Sequence, residues 1–298
     1  MSRTSGRSFK GFTLVELVIV ITILAIMAGI IATILRGPSQ AIVDVQRRTQ
    51  QVGIVQTALH RMTTEIRLAL PYSVRVSGAN AVEFLRTFDA GRYRKQGAGR
   101  LKFNQSADTF TVLNTLADPG GVQLGSGSTD CIGGSAFCMV VYNIGQPMTV
   151  AEATASGLSA NAYLGASESY EGNIATVSAA AAHSLSFDNS DLGPPPPQWS
   201  FGVESPGQRF HIVDTAVSYV CSGGQITRYA GYAIQPAQPV PPGVAGNLLI
   251  DRVSACSFVQ TAPTITRFGL LTIRIEITDP DSGETAELVQ QVHVTNLP

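Results

Sequence analysis

Phe12 to Leu35 runs for 24 residues with one ionisable side chain, Glu16, and this stretch limits the chain more than any other feature. Coiled as an α-helix at roughly 1.5 Å per residue it would extend about 36 Å, enough to cross a hydrocarbon core of about 30 Å. Residues 1–11 before it contain Arg3, Arg7 and Lys10 and no acid. By the positive-inside rule this basic leader stays in the cytoplasm, so the chain after about residue 37 is expected outside the inner membrane. An ordinary secretory signal would have an apolar core of about 7–15 residues followed by a small-residue cut site. Here the run is too long, and the small residue suited to cleavage, Gly11, comes before it.

Glu16 needs its own explanation. A carboxylate at the centre of a spanning helix costs about 2.5–3.5 kcal/mol. Near the helix start the cost is lower, and the positive end of the helix dipole offsets part of it. Cleavage after Gly11 would make Glu16 the fifth residue of the mature chain, one turn from a new α-amino group on Phe12. A neighbouring subunit shifted along the axis would set its amine against this carboxylate and neutralise both charges in apolar surroundings. The plainer alternative is a glutamate tolerated at the headgroup level.

Gly37-Pro38 follows the apolar run, and proline removes a backbone donor and crowds the preceding turn, so a kink or break is expected there. Gly29 is a second soft point. From Ser39 to Leu70 the helical pattern resumes, with Val52, Val55, Leu59, Met62, Ile66 and Leu70 at spacings of three or four. Pro71 ends it. The stripe predicts an amphipathic helix laid on a globular sheet.

Beyond Pro71 short β-type runs lie between Gly, Asp and Asn turns: 72–76, 81–86, 101–103, 109–113 and 138–142, then 209–214, 217–221 and 225–229. Residues 119–136 are Gly/Ser-rich and 151–185 Ala/Ser-rich without clear period, and both read as loops. Gly193 to Gln198 is a polyproline-type spacer, and a second Pro-rich loop spans Pro236–Pro242. Phe268–Thr278 and Ala286–Asn296 form a hairpin in which Ile273, Ile275 and Ile277 alternate with Arg274 and Glu276. The expected class is α+β: a long N-terminal helix, membrane-spanning then amphipathic, packed on an antiparallel β-sheet domain with large loops. The expected segments are a leader at 1–11, a spanning helix at 12–36, an amphipathic helix at 37–70 and an extracytoplasmic β-rich domain at 71–298.

Four cysteines, Cys131, Cys138, Cys221 and Cys256, form no C-x-x-C pair, and an even count in an exported chain reads as disulfides. Four allow three connectivities; pairing of sequence neighbours is the simplest. Free buried thiols are the alternative. The leader holds three of 20 basic residues and none of 21 acidic ones, so its removal takes the formal charge from −1 to −4. Neither value suggests a general attraction to nucleic acid.

Enzyme signatures are missing: no G-x-S-x-G elbow, H-E-x-x-H pair or phosphate loop occurs. The histidines His60, His183, His211 and His293 are scattered. His211, Asp214 and Ser218 are close in sequence, but on a strand the first two point to opposite faces. Asp279, Asp281 and Glu284 could offer oxygens to calcium, yet their spacing lacks the EF-hand pattern, and Asp-Pro-Asp-Ser-Gly is good turn chemistry without an ion. No catalytic residue, cofactor or metal is therefore expected.

Lys10-Gly11-Phe12-Thr13-Leu14-Val15-Glu16-Leu17, with Ile23-Leu24-Ala25-Ile26 in the apolar run, resembles the class III leader of type IV pilins and pseudopilins. The resemblance implies cleavage after Gly11 by prepilin peptidase, N-methylation of Phe12, and pairing of Glu16 with an adjacent subunit's N-terminus. It implies as partners other pilin and minor pilin subunits, the inner-membrane assembly platform and the membrane itself. The location implied is a single-pass inner-membrane protein with a periplasmic globular domain, later carried to a cell-surface pilus. Residues 68–76, 89–94, 208–215, 217–221 and 291–298 are similar to minor pilins of the mannose-sensitive haemagglutinin (MSHA) pilus, which implies a low-abundance assembly component. A type II secretion pseudopilin of the J kind shares the leader and the plan. A membrane-anchored adhesin or enzyme is the reading from a different class.

Overall fold

The computed structural model describes residues 11–103, 108–117, 119, 137–145, 149, 151–152, 155, 159–164, 172–188, 201–261, 269–280 and 282–294. Two compact units divide the chain, Met1–Gln51 and Val52–Pro298. A single helix, α1 (Leu14–Arg67), covers 54 residues. It passes through Gly29 and through Gly37-Pro38 without the break expected there. One proline withdraws one donor from the ladder, and the residues on either side sustain the remaining bonds.

Within the second unit, Val55, Ala58, Leu59, Met62 and Ile66 of α1 are buried at the expected three-to-four spacing. The helix stops at Arg67, three residues before the predicted Leu70. Leu68 N bonds Glu65 O at 3.0 Å and Ala69 N bonds Ile66 O at 3.1 Å, a tightened last turn. Leu70 N already bonds Leu85 O at 2.8 Å. The residue before a proline disfavours the helical region, and Leu70 takes the sheet instead.

Among the described residues twelve strands follow: β1 (Arg75–Ser77), β2 (Ala81–Arg92), β3 (Thr109–Thr111), β4 (Cys138–Val141), β5 (Ile174–Ala181), β6 (Ser184–Phe187), β7 (Arg209–Ser222), β8 (Gln225–Ala230), β9 (Asn247–Ile250), β10 (Val253–Thr261), β11 (Gly269–Thr278) and β12 (Thr285–Val294). Nine form one sheet in the order β1-β2-β7-β4-β5-β6-β3, with β8 on β7 and β9 on β8; the last three form a second sheet, β10-β11-β12. Every pairing is antiparallel. The centre is β7. One edge pairs β2 from Arg209 to Val220, while the other pairs β4 through Phe210–Val213 and β8 through Val217–Ser222. Register slips at Arg86/Thr87 and Thr87/Asp89, so Asp214 has no direct partner in β2.

Several sequence expectations are corrected here. The Ala/Ser-rich stretch read as loop contains β5 and β6, because the apolar edge of β4 offers Ile174 and Ala175 a ladder. The runs 209–214 and 217–221 fuse into β7, β2 extends to Arg92, and residues 101–103 form no strand. Strands β9 and β10 were not foreseen. Tyr72 sits in a turn with φ 58°, so the first strand starts only at Arg75. The Gly/Ser-rich segment at 120–136 and the polyproline spacer lie outside the described residues.

Three cores result. The first joins α1 to Val82, Phe84, Val217 and Tyr219 of the large sheet and Phe258, Leu271, Ile273, Ile275 and Val292 of the small one. A second gathers Tyr93, Phe110, Phe187, Phe201 and Phe210. The third packs Leu70, Leu85, Val140, Tyr163, Val213 and Tyr232. Cys221 and Cys256 are bonded, with Cα atoms 6.5 Å apart, so one disulfide links β7 of the large sheet to β10 of the small one.

Candidate functional site

The start of α1 is built by Thr13. Its Oγ1 accepts the Glu16 N–H at 3.3 Å and its carbonyl accepts Leu17 N–H at 3.1 Å, the two bonds of an N-cap. Thr13-x-x-Glu16 is also the residue pattern of a capping box, a signal the sequence carried and the reading passed over. Glu16 thus lies in the first turn, where the helix dipole favours an anion. Among the described residues its carboxylate makes no hydrogen bond and no ion pair.

Around that carboxylate the helix is apolar and uncovered. Leu14–Ile34 is long and apolar enough to cross a membrane, and Phe12 and Leu14 are 77% and 79% exposed. Its hydroxyls are satisfied internally. Thr22 Oγ1 donates to Ile19 O at 2.9 Å and Thr33 Oγ1 to Ile30 O at 2.8 Å, which removes the penalty of an orphan donor in lipid. Gly11 and Phe12 precede the helix in irregular, exposed backbone.

In the second unit the structure separates the residues that a catalytic reading would join. Asp214 is held by Arg86, whose Nε donates to Oδ1 at 3.0 Å. Ser218 donates to Glu83 Oε2 at 3.3 Å and shares a short hydrogen bond with Tyr232. Burial, and secondarily the charge of Arg209, lower the His211 pKa to about 4, so its ring is neutral near pH 7. His60, His183 and His293 are exposed and far apart in sequence. Asp279 organises its own turn: its Oδ1 accepts Ser282 N–H at 3.4 Å and its N–H donates to Glu284 O at 2.9 Å. Glu284 is exposed and Asp281 lies outside the described residues. Among the described residues no group of three His, Cys, Asp or Glu side chains is placed to hold a metal. Cys138 is disulfide-bonded, while Cys131 lies outside the described residues.

Sequence reasoning missed two buried polar clusters. In the first, Glu65 of α1 accepts from Tyr219 Oη at 2.7 Å and from Arg228 Nε at 2.8 Å, fastening the helix to β7 and β8. Burial, and then the bond to Glu65, raise the Tyr219 pKa. In the second, Glu83 is wholly buried and accepts from Arg75 Nε at 2.8 Å and Tyr232 Oη at 2.9 Å. Burial raises its pKa against the opposing pull of Arg75 and the hydroxyl donors. The Arg75 guanidinium lies 3.6 Å from the Tyr163 ring centre. A glutamate among apolar neighbours, Ala81-Val82-Glu83-Phe84-Leu85, was the available clue. Glu83 is enclosed and Glu65 is half-buried, and both carboxylates are taken up by their own partners, so the clusters hold the fold together.

Residues 6–32 match the family described as prokaryotic N-terminal methylation motif. No curated protein and no solved structure matches the chain. The motif and the apolar helix together support a type IV pilin-like protein: a chain of the kind that prepilin peptidase processes and that associates with other pilins. The apolar helix fits membrane anchoring, and the motif points to a structural rather than an enzymatic role.

Proposed function

We propose that this chain is a minor pilin of a type IV pilus of the MSHA kind, most like the MshO subunit, and takes part in assembling or initiating the filament. In this reading prepilin peptidase cuts after Gly11, Phe12 is N-methylated, and Glu16 accepts the amine of a neighbouring subunit in the growing filament. The observation that carries it is the Glu16 carboxylate, unengaged among the described residues at the capped start of an apolar, exposed helix. A counter-charge stabilises a carboxylate in that setting, and the cut supplies one at the right place. The globular unit would sit in the periplasm before assembly and on the cell surface afterwards. The Cys221–Cys256 disulfide agrees with an oxidising compartment. Segments 68–76, 89–94, 208–215, 217–221 and 291–298 are what favours the MSHA-type subunit over other pilins.

Mass spectrometry of the mature protein tests the processing and should find N-methylated Phe12 at the N-terminus; an intact leader or a cut after the apolar run would refute it. Glu16→Ala should lower incorporation into filaments while the globular unit stays folded, and normal piliation would refute the pairing. Deleting the gene should remove pili. Loss of protein secretion with intact pili would instead assign the chain to the type II secretion pseudopilins.

A further inference from the structure

Among the described residues the small sheet has one guarded edge and one open edge. On the β10 side, Phe258 N bonds Ala79 O at 2.8 Å and Val253 N bonds Gly224 O at 2.9 Å, so the large sheet's turns occupy that edge. On the other side β12 is the terminal strand, ten residues paired in unbroken register with β11 alone. Among the described residues no other main-chain group bonds it. Exposed edges are normally blunted by brevity, proline, lysine or a bulge. The other outer strands of the large sheet use brevity, with β1 and β3 at three residues and β9 at four. Thr285–Val294 uses none of these devices: TAELVQQVHV has no proline, no lysine and no register shift.

From this edge we infer that β12 pairs antiparallel with β12 of a second copy of the chain, joining two three-stranded sheets into one of six. The residue pattern fits self-pairing about Val289. Thr285, Glu287, Val289, Gln291 and His293 share the solvent face, while Ala286 and Val292 face the core. Centring the pair on Val289 sets this 56% exposed valine against its own copy, Glu287 against Gln291, and Thr285 against His293. No like charges then meet. Glu287 is the strand's one formal charge, and Arg274 across the sheet neutralises it, with Nε 2.8 Å from Oε1 and a guanidinium N–H donating to Oε2 at 2.9 Å. A regular edge about 33 Å long, at roughly 3.3 Å per residue, with its one formal charge paired, supplies main-chain hydrogen bonds to a partner strand without a charge to repel it.

The test uses the full chain in detergent and in membranes, before filament assembly. Val289→Cys introduces a free thiol where all described cysteines are bonded. Opposed residues of antiparallel strands have Cα atoms about 4.5–5.5 Å apart, within disulfide reach, so mild oxidation should give a covalent dimer of this chain. Val259→Cys, 54% exposed on β10 of the same sheet, should give none. Val289→Lys opposes two lysines and should turn the dimer to monomer by light scattering, as should Val289→Glu. Mixing the two variants should restore a heterodimer. A monomeric wild type, equal cross-linking at Val259, cross-links of Val289→Cys to a different protein, or no rescue on mixing would overturn the inference. A methylated Phe12 together with any of these results would leave the pilin reading standing and this one refuted.

Discussion

Arg228→Ala tests how the helix is held to the sheet. Glu65 and Arg228 side chains are 19% and 11% exposed, and the carboxylate also receives the Tyr219 hydroxyl at 2.7 Å. Removing one member of a buried pair costs about 3–5 kcal/mol because the other charge is stranded. Here Tyr219 stays, Arg61 lies 3.8 Å away on the next turn, and some solvent reaches Glu65, which brings the expected loss to about 2–3 kcal/mol. With a urea slope of roughly 3 kcal/mol/M, the midpoint should fall by about 0.7–1 M. Urea unfolding of the detergent-solubilised full chain at pH 7, followed by near-ultraviolet circular dichroism of the tyrosines, measures it. Replacing the pair in one step, Glu65→Gln with Arg228→Met, keeps an acceptor for Tyr219 and leaves no charge. That double variant should lie within about 1 kcal/mol of wild type. If it unfolds as early as the single variant, or if the single variant matches wild type, the argument that a stranded charge sets the loss is wrong.

Acid should weaken the fold through His211. Its folded pKa of about 4 lies below the ordinary imidazole value of 6.5, so the unfolded state binds the extra proton first, and the stability present above about pH 6.5 is lost as pH falls towards 4. That interval corresponds to about 3 kcal/mol, and His211→Gln should flatten the wild-type decline in urea midpoint between pH 6.5 and 4; an unchanged slope would remove His211 as its source. Gly91→Ala should destabilise by about 1–3 kcal/mol, because the new Cβ would stand 2.6 Å from the Phe210 ring. Thermal melting checks it, and a wild-type melting temperature would show that the ring can move.

The N-terminal helix and the final hairpin were legible because each rests on local periodicity: unbroken apolar residues in one case, alternating isoleucines in the other. Val55, Leu59, Met62 and Ile66 announced their burial at helical spacing, and all four are buried. Strands β5 and β6 were hidden because Ala-Ser runs carry no strand propensity of their own; a neighbouring strand decides their state. The length of β7 was hidden too, since its two halves are sided by different strands and a register slip interrupts the pattern at Asp214. Of the site, Gly11, Phe12 and Glu16 stood out as an oddly placed charge beside a small residue. The buried clusters did not, because Glu65 meets Arg228 across a sequence gap of 163 residues.

The position of β7 also sets when this chain can fold. Strand β2 is complete at Arg92 but its partner ends at Ser222, so their ladder cannot close until that later strand has been delivered. The helix stripe around Met62 waits longer, for Leu271 and Ile273 of β11. In the proposed pilin reading, with the first helix anchored and the rest exported after it, the apolar stripe and the free edge of β2 stay uncovered until those later strands arrive. Under that reading the first core closes only after delivery of the last hairpin, and until then the helix stripe around Met62 depends on other factors to keep it from self-association.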